Sequence, residues 1–391
     1  MARRRTAVTV ALLSAALLVS GWLLRRALSP APVPASPAGT VTALLSEEDP
    51  GGFALATAPR AFRFPDDHGP HPEFRHEWWY FTGNMKDPAG RRFGYQLTFF
   101  RFALAPPGAP PRGSRWGADQ AYMAHFSVTD AGRNAFRHFE RTGRGALGMA
   151  GAGVRPFRVW IDDWTAEGGA DSLTPIRLRA AEGGTSVDLV LRSDRPPVPQ
   201  GEGGLSRKGA AAGNASHYYS MTRLATRGTL AVGGSSYRVD GNSWLDREWG
   251  TSALGNEHVG WDWFALQLSD GRDLMFYRLR RRDGGAERFS AGMLARPDGS
   301  FRSLSAGDVG IETLDHWKSP SSGVRYPSRW RLRVPSEGID LTVVPRVADQ
   351  ELRTFVRYWE GAVSVGGDSR GSPVEGDGYV ELTGYGGTAG R

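Results

Sequence analysis

A chain of 391 residues exceeds one ordinary domain and allows two or three. It contains no Cys, which excludes disulfides, thiolate nucleophiles and Cys-ligated metals. The formal charge of +7 rests mostly on Arg3, Arg4, Arg5, Arg25 and Arg26; the other bases nearly balance the 41 acids, so no nucleic-acid footprint remains.

The N-terminus has a basic start, an uncharged and mostly apolar run over 6–24, and Arg25-Arg26. That run is longer than the roughly 7–15 residues of a signal-peptide core and approaches the roughly 20 that span a bilayer. Residues 1–26 therefore read as a signal or anchor segment that exports the rest of the chain, either secreting it or holding it at the membrane. Residues 27–52, rich in Pro, Ala and Ser, read as a flexible tether.

The stretch Arg75-His76-Glu77-Trp78-Trp79-Tyr80-Phe81-Thr82-Gly83-Asn84 dominates the remainder of the chain. With strand periodicity, Glu77, Trp79 and Phe81 share one face and His76, Trp78 and Tyr80 the other. Aromatic rings on both faces suit a buried strand, either a core hairpin or a wall lining a ligand. Asp87-Pro88-Ala89-Gly90 makes a turn into a second strand over 93–102. Further alternating runs occupy 122–128, 154–160, 176–179 and 187–191. The polar, Gly-rich segment 196–213 interrupts them and reads as a loop or lid.

Two clusters could carry chemistry. In Ser216-His217-Tyr218-Tyr219-Ser220, His217 and Tyr219 share a strand face. In Ser243-Trp244-Leu245-Asp246-Arg247-Glu248-Trp249-Gly250, Trp244, Asp246 and Glu248 share one. A carboxyl held between indole rings is desolvated and stays protonated near neutrality, as a general acid requires. His217 and Tyr219 would then orient it or hold water. The competing reading is a network of salt bridges from Asp246 and Glu248 to Arg, tying two domains together.

A weak internal repeat relates the hairpin at Trp79 to Trp263-Phe264-Ala265 followed by Asp270-Gly271 and a second aromatic strand. It places a boundary near residue 248 and gives two antiparallel units, 53–248 and 249–391, each of a size to enclose one apolar ligand. The runs from Tyr358 and from Gly378 supply the last two strands. The eight His residues form no metal-binding pair on a helix, and no Gly-x-Ser-x-Gly elbow or phosphate-cradling loop occurs. No metal and no cofactor is expected.

His76-Glu-Trp-Trp-Tyr-Phe-Thr-Gly-Asn84, Leu147-Gly-Met-Ala-Gly-Ala152, His217-Tyr-Tyr-Ser220, Trp244-Leu-Asp-Arg-Glu-Trp-Gly250, Gly260-Trp-Asp-Trp-Phe264 and Gly378-Tyr-Val-Glu-Leu-Thr-Gly-Tyr385 resemble motifs of the AttH-type predicted secreted hydrolases, over about 62–385. These are relatives of the carotenoid 1,2-hydratases, and some fungal Diels–Alderases share their architecture. The resemblance implies an all-β protein of two tandem lipocalin-like (calycin) antiparallel barrels. It also implies an apolar ligand, isoprenoid or lipid, and an aspartate that protonates a C=C bond. The hydratases' His-x-Trp and Tyr-x-Asp pairs read here His217-x-Tyr219 and Trp244-x-Asp246, with His and Asp kept and both aromatics exchanged. Asp246, His217, Tyr219 and Trp244 are thus the catalytic candidates. Glu77, Trp78, Trp79, Tyr80, Trp261 and Trp263 are the ligand-binding ones. Nothing in the chain supplies the activated nucleophile that a hydrolase needs. Members often accompany ABC-type permeases, which implies the alternative of a non-catalytic lipid-binding module working with an exporter.

Overall fold

The structure, a computed structural model, describes residues 51–110, 117–252, 254–255 and 257–386. The expected anchor and the tether up to residue 50 lie outside the described residues. Among the described residues no helix is long and apolar enough to cross a membrane.

The chain is all-β. The first half carries β1 (His76–Lys86), β2 (Arg92–Ala103), β3 (Gln120–Asp130), β4 (Ala135–Arg144), β5 (Ala150–Val154), β6 (Phe157–Ile161), β7 (Trp164–Glu167), β8 (Ile176–Glu182), β9 (Thr185–Arg192), β10 (Val198–Pro199), β11 (Leu205–Arg207), β12 (Ala215–Val232) and β13 (Ser235–Ser252). The second carries β14 (His258–Leu268), β15 (Asp273–Arg281), β16 (Ala291–Ala295), β17 (Phe301–Ser305), β18 (Gly310–Lys318), β19 (Arg325–Val334), β20 (Ile339–Pro345), β21 (Glu351–Arg353), β22 (Arg357–Ser369) and β23 (Ser372–Leu382). Each half is one curled antiparallel sheet. The first, in the order β4-β3-β2-β1-β13-β12-β9-β8-β7-β6-β5, makes a nearly closed barrel. The second, β17-β16-β15-β14-β23-β22-β20-β19-β18, makes a half-barrel.

The two sheets share a plan. Each sets its first strand between its second and its last, β1 between β2 and β13 and β14 between β15 and β23. The hairpins β1–β2 and β14–β15 that echo one another in sequence thus hold equivalent places. The first turn follows from its residues. Asp87 Oδ1 accepts the N–H groups of Ala89 and Arg91, each at 2.9 Å, and Gly90 takes the left-handed φ of 82° that few other residues tolerate.

Strand alternation sorts the side chains. Trp79, Phe81, Leu97, Phe99, Phe126 and Trp164 fill the first barrel, and Phe264, Trp330, Leu341 and Trp359 fill the second. Where the two sheets meet, the opposite faces are covered as well. Tyr80, Tyr218 and Trp244 of the first sheet pack against Trp263, Met275, Tyr277 and Tyr379 of the second in a core of their own. Each large aromatic buried there contributes about 1.5–3 kcal/mol by leaving water.

Polar contacts fix the two sheets in place. Asp273 of β15 is gripped by Arg223, Arg195 and Thr222 of the first half, at 2.6, 2.9 and 2.8 Å. An Arg–carboxylate tie between the halves therefore exists, centred on Asp273. At Gly94 of β2, an added Cβ would sit 2.5 Å from the Cβ of Ala362 on β22. Gly94→Val is expected to push the sheets apart and cost about 1–3 kcal/mol, seen as a lower urea midpoint. A change within the error of the wild-type midpoint would show that the contact yields freely.

The segment 196–213, expected as a loop or lid, instead lays β10 and β11 against β12 and carries Lys208 to the space between the halves. Backbone bonds to β12 satisfy a stretch whose side chains give no strand pattern.

Candidate active site

Between the two sheets lies a cavity with about 940 Å³ of empty space, its mouth included. Because β1, β12 and β13 alternate, each turns every second side chain toward it: Trp78 and Tyr80, then Tyr218, then Asp246 and Glu248. The second sheet faces them with Trp261 and Trp263 of β14, Tyr277 of β15, Tyr358 and Glu360 of β22 and Glu381 of β23. Phe100, Phe102 and His125 extend the wall toward the edge of the first sheet. The lining is an aromatic box with four carboxyl groups and one lysine.

Asp246 is held by three donors. Tyr218 O–H donates to Oδ2 at 2.5 Å, Ser220 O–H to Oδ1 at 2.5 Å, and the Trp244 indole N–H to Oδ1 at 2.6 Å. Among the described residues no ion pair involves it. Burial pushes its carboxyl up to about 7; the three hydrogen bonds oppose the rise and the nearby Glu248 carboxylate adds to it. Asp246 thus titrates near neutrality, where an acid can both hold a proton and give it away. Glu248 is differently placed. Ser216 donates to it, and Lys208 Nζ lies 3.2 Å away while also capping the Tyr277 ring at 4.2 Å. Burial works against the Lys208 ammonium, but Glu248 overrules it and keeps the charge.

Two further carboxyls face Asp246 from the second sheet. Glu360 and Glu381 are directly opposed across β22 and β23. Tyr80 and Gln96 donate to Glu360 from the first sheet. Burial raises both carboxyls, Glu360 well above its usual range and Glu381 to about 8; each gains further from a neighbouring carboxyl, and the Trp261 hydrogen bond to Glu381 opposes its rise. Two like charges side by side cannot both ionise cheaply, so the pair retains a proton.

His217 and Tyr219 turn the other way. They lie on the barrel face of β12, where His217 meets Phe74 and Trp249 edge-on or tilted, and the Tyr219 hydroxyl meets His68 Nδ1 at 2.6 Å. Burial first, then Arg60, pushes the His217 imidazole down to about 4. The residue within reach of Asp246 is Tyr218, because Ser220 is its cross-strand partner and only every second neighbour on β12 shares that face.

Glu77 and Trp79 likewise face the barrel interior. Arg101 and Arg247 both donate to Glu77, and the Arg247 guanidinium lies 4.0 Å from the Trp79 ring. The same two arginines bind carbonyls of His68, Gly69, His71 and Phe74. Glu77 thereby anchors the segment before β1 to the barrel. Burial raises its carboxyl, and Arg247 and Arg101 more than reverse this, holding it well below the usual range. Trp78, Tyr80, Trp261 and Trp263 line the cavity; Trp244 stands behind Asp246 and meets Trp263 edge-on at 6.3 Å.

Sequence reasoning passed over Glu360, Glu381, Tyr218 and Lys208. A signal existed for the first two. Tyr358-x-Glu360 and Tyr379-x-Glu381 repeat the ring-and-acid alternation of Trp244-x-Asp246.

Outside the cavity, ligand atoms of Glu257, His258 and Glu287 lie within 4.8 Å of one another. His258 Nδ1 accepts the Gly255 N–H at 3.1 Å, so a neutral ring keeps its proton on Nε2, the atom turned toward Glu287. Arg281 occupies Glu287 at 3.2 Å. A donor set so engaged does not suit a cation.

A nearly closed barrel and a half-barrel, both antiparallel, with one acid-bearing aromatic cavity between them define a lipocalin-like protein of two parts. The chain belongs to the AttH-like family, whose model matches residues 55–385. Its fold is similar to that of an AttH protein from Nitrosomonas europaea, at 32% identity and a TM-score of 0.74, over 85% of this chain and all of that one. It is also similar to kievitone hydratase from Nectria haematococca, at 16% identity and a TM-score of 0.66, over 86% and 98% of the two chains. CghA in complex with Sch210972 shares the fold at 16% identity and a TM-score of 0.51, over 88% and 99%. A comparison with curated protein sequences finds no match.

Proposed function

We propose that the protein is an extracytoplasmic hydratase that adds water across a C=C bond of an apolar isoprenoid or lipid, using Asp246 as general acid and no cofactor. The observation that carries this reading is the Asp246 carboxyl, buried with no ion-pair partner among the described residues, titrating near neutrality and lining an aromatic cavity. Its proton passes to an alkene carbon. The cation that forms is stabilised by the faces of Trp78, Trp261 and Trp263. Tyr218, Ser220 and Trp244 already point at the carboxylate left behind. Water captures the cation. Kievitone hydratase, named for a hydration, has the same fold and accords with this reading. The basic and apolar N-terminal segment accords with export, and with tethering near lipids or a partner transporter.

The test incubates the full-length protein with acyclic isoprenoid polyenes and unsaturated lipids in isotopically labelled water, followed by mass spectrometry. One labelled water gained at a C=C bond is the expected result. Ligands that bind and emerge unchanged would make the protein a carrier and remove Asp246 from the chemistry.

A further inference from the structure

The Glu360–Glu381 pair has a hydrogen-bonded route to the protein surface. Gln96 Nε2 donates both to Glu360 Oε2 at 2.8 Å and to the Tyr358 hydroxyl at 3.0 Å, which sets carboxyl and hydroxyl side by side, where the two interact. Tyr358 Oη meets His125 Nδ1 at 2.6 Å, and His125 Nε2 meets Glu140 Oε2 at 3.0 Å. His125 is 1% exposed and the Glu140 side chain 20%, so the route passes from a buried cavity to solvent within three side chains. One tautomer satisfies every link, with Nε2–H donating to the Glu140 carboxylate and Nδ1 accepting the Tyr358 O–H. The phenolic oxygen is then left to accept from Gln96 at 3.0 Å and to take up a proton that Glu360 releases. From Tyr358 outward the donors point to the surface. Nothing in the packing of either sheet requires this order, since Phe100 and Phe102 beside it show that apolar rings fill the same wall.

We propose that Tyr358, His125 and Glu140 form a proton relay joining solvent to a second acid–base group of the cavity, the Glu360–Glu381 pair. Glu381 is half-buried, its open surface on the cavity, and can meet a water there. The groups facing the pair are Tyr80 from β1, Gln96 from β2, Tyr358 from β22 and Trp261 from β14, with the Asp246 and Glu248 carboxyls of β13 across the cavity from Glu381. Glu140 and Tyr358 face His125, with His138 nearby on β4.

In the hydration reading, on which this use of the relay rests, Asp246 gives a proton to the alkene carbon. The attacking water forms the C–O bond and passes its surplus proton to Glu381. One proton leaves Glu360 through Tyr358 and His125 to Glu140 and solvent, and Asp246 recovers one from water at the cavity mouth. The sum is one water added, with nothing oxidised or reduced. The relay itself would serve any proton chemistry in the cavity.

Its test needs no substrate. Infrared difference spectra of the full-length protein, taken after rapid mixing of its H₂O solution into D₂O, follow the C=O stretch of protonated carboxyls. A band that Glu360→Gln removes reports the pair. The relay predicts at least tenfold slower exchange of that band in Tyr358→Phe, which deletes one oxygen and keeps the ring, and in His125→Gln and Glu140→Gln. Exchange at the wild-type rate in all three overturns the relay, and so does the absence of any band that depends on Glu360. If exchange depends on the relay but no substrate gains water, the relay stands and the hydration reading falls.

Discussion

Replacing Asp246 with asparagine is expected to lower the rate of water addition by roughly 10²–10⁴-fold, the usual contribution of a positioned general acid, while ligand still binds. The amide oxygen can accept the bonds that Ser220 and Trp244 now donate, and the Tyr218 hydroxyl can turn to accept from the amide N–H, so the pocket keeps its shape, but the amide has no proton of the needed acidity. Stability supplies a second readout. The folded state raises the Asp246 carboxyl to about 7, whereas an unfolded aspartate titrates near about 4. Between those values the folded protein holds a proton that the unfolded chain has lost. The stability gained from this group is fully present below about 4 and is lost as pH rises to about 7. The free energy of unfolding in urea should therefore fall with rising pH across that window, by up to about 1.4 kcal/mol per pH unit for one proton. In Asp246→Asn the slope becomes shallower, and what persists belongs to Glu381 and Glu360. An unchanged slope would mean that Asp246 is ionised throughout, and it would lose its role as acid.

The largest loss of stability is expected at Glu77, which takes no part in the cavity. Glu77→Gln leaves the Arg101 and Arg247 guanidinium groups buried without their anion. Breaking a buried pair from one side costs about 3–5 kcal/mol, a large share of the roughly 5–15 kcal/mol that holds a domain together. The segment bearing His68 and His71 should become protease-sensitive first, because the same arginines hold its carbonyls. The pH dependence has the opposite sign to that of Asp246. Glu77 sits below its unfolded value, so its contribution is present above about 4.3 and fades as acid carries the pH down through the folded value. Cleavage and midpoint both unchanged in Glu77→Gln would show that backbone carbonyls alone satisfy the two arginines.

The sequence carried the faces of the strands but not their neighbours. Alternation puts Trp78 and Tyr80 opposite Glu77, Trp79 and Phe81, and groups Trp244, Asp246 and Glu248. These are short-range facts, decided by the period of two along one strand. Which face meets ligand and which fills the barrel depends on what packs against it, so Trp79 and Trp78 look alike in the sequence and part company in the fold. Register is a longer-range matter. His217 and Tyr219 flank Tyr218, and only the pairing of Ser220 with Asp246 shows which of the three reaches the acid. Glu360 and Glu381 meet across a ladder between the last two strands, and they face Asp246 only because the second sheet closes over the first. No local pattern encodes that meeting. The Asp273 tie is of the same kind, joining residues some fifty positions apart.

The placement of β1 and β14 between their sheets' second and last strands has a consequence for how the polypeptide is made. A ribosome or translocation channel delivers the chain N-terminus first, so each opening hairpin waits with one edge bare until the final strand of its sheet emerges. For β1 that wait lasts until β13, some 150 residues later, and aromatic edges left unpaired for so long invite association with other chains. Such a protein would gain from a chaperone during synthesis, and removing β23 would deprive β14 of an edge partner and the cavity of Glu381 in a single cut.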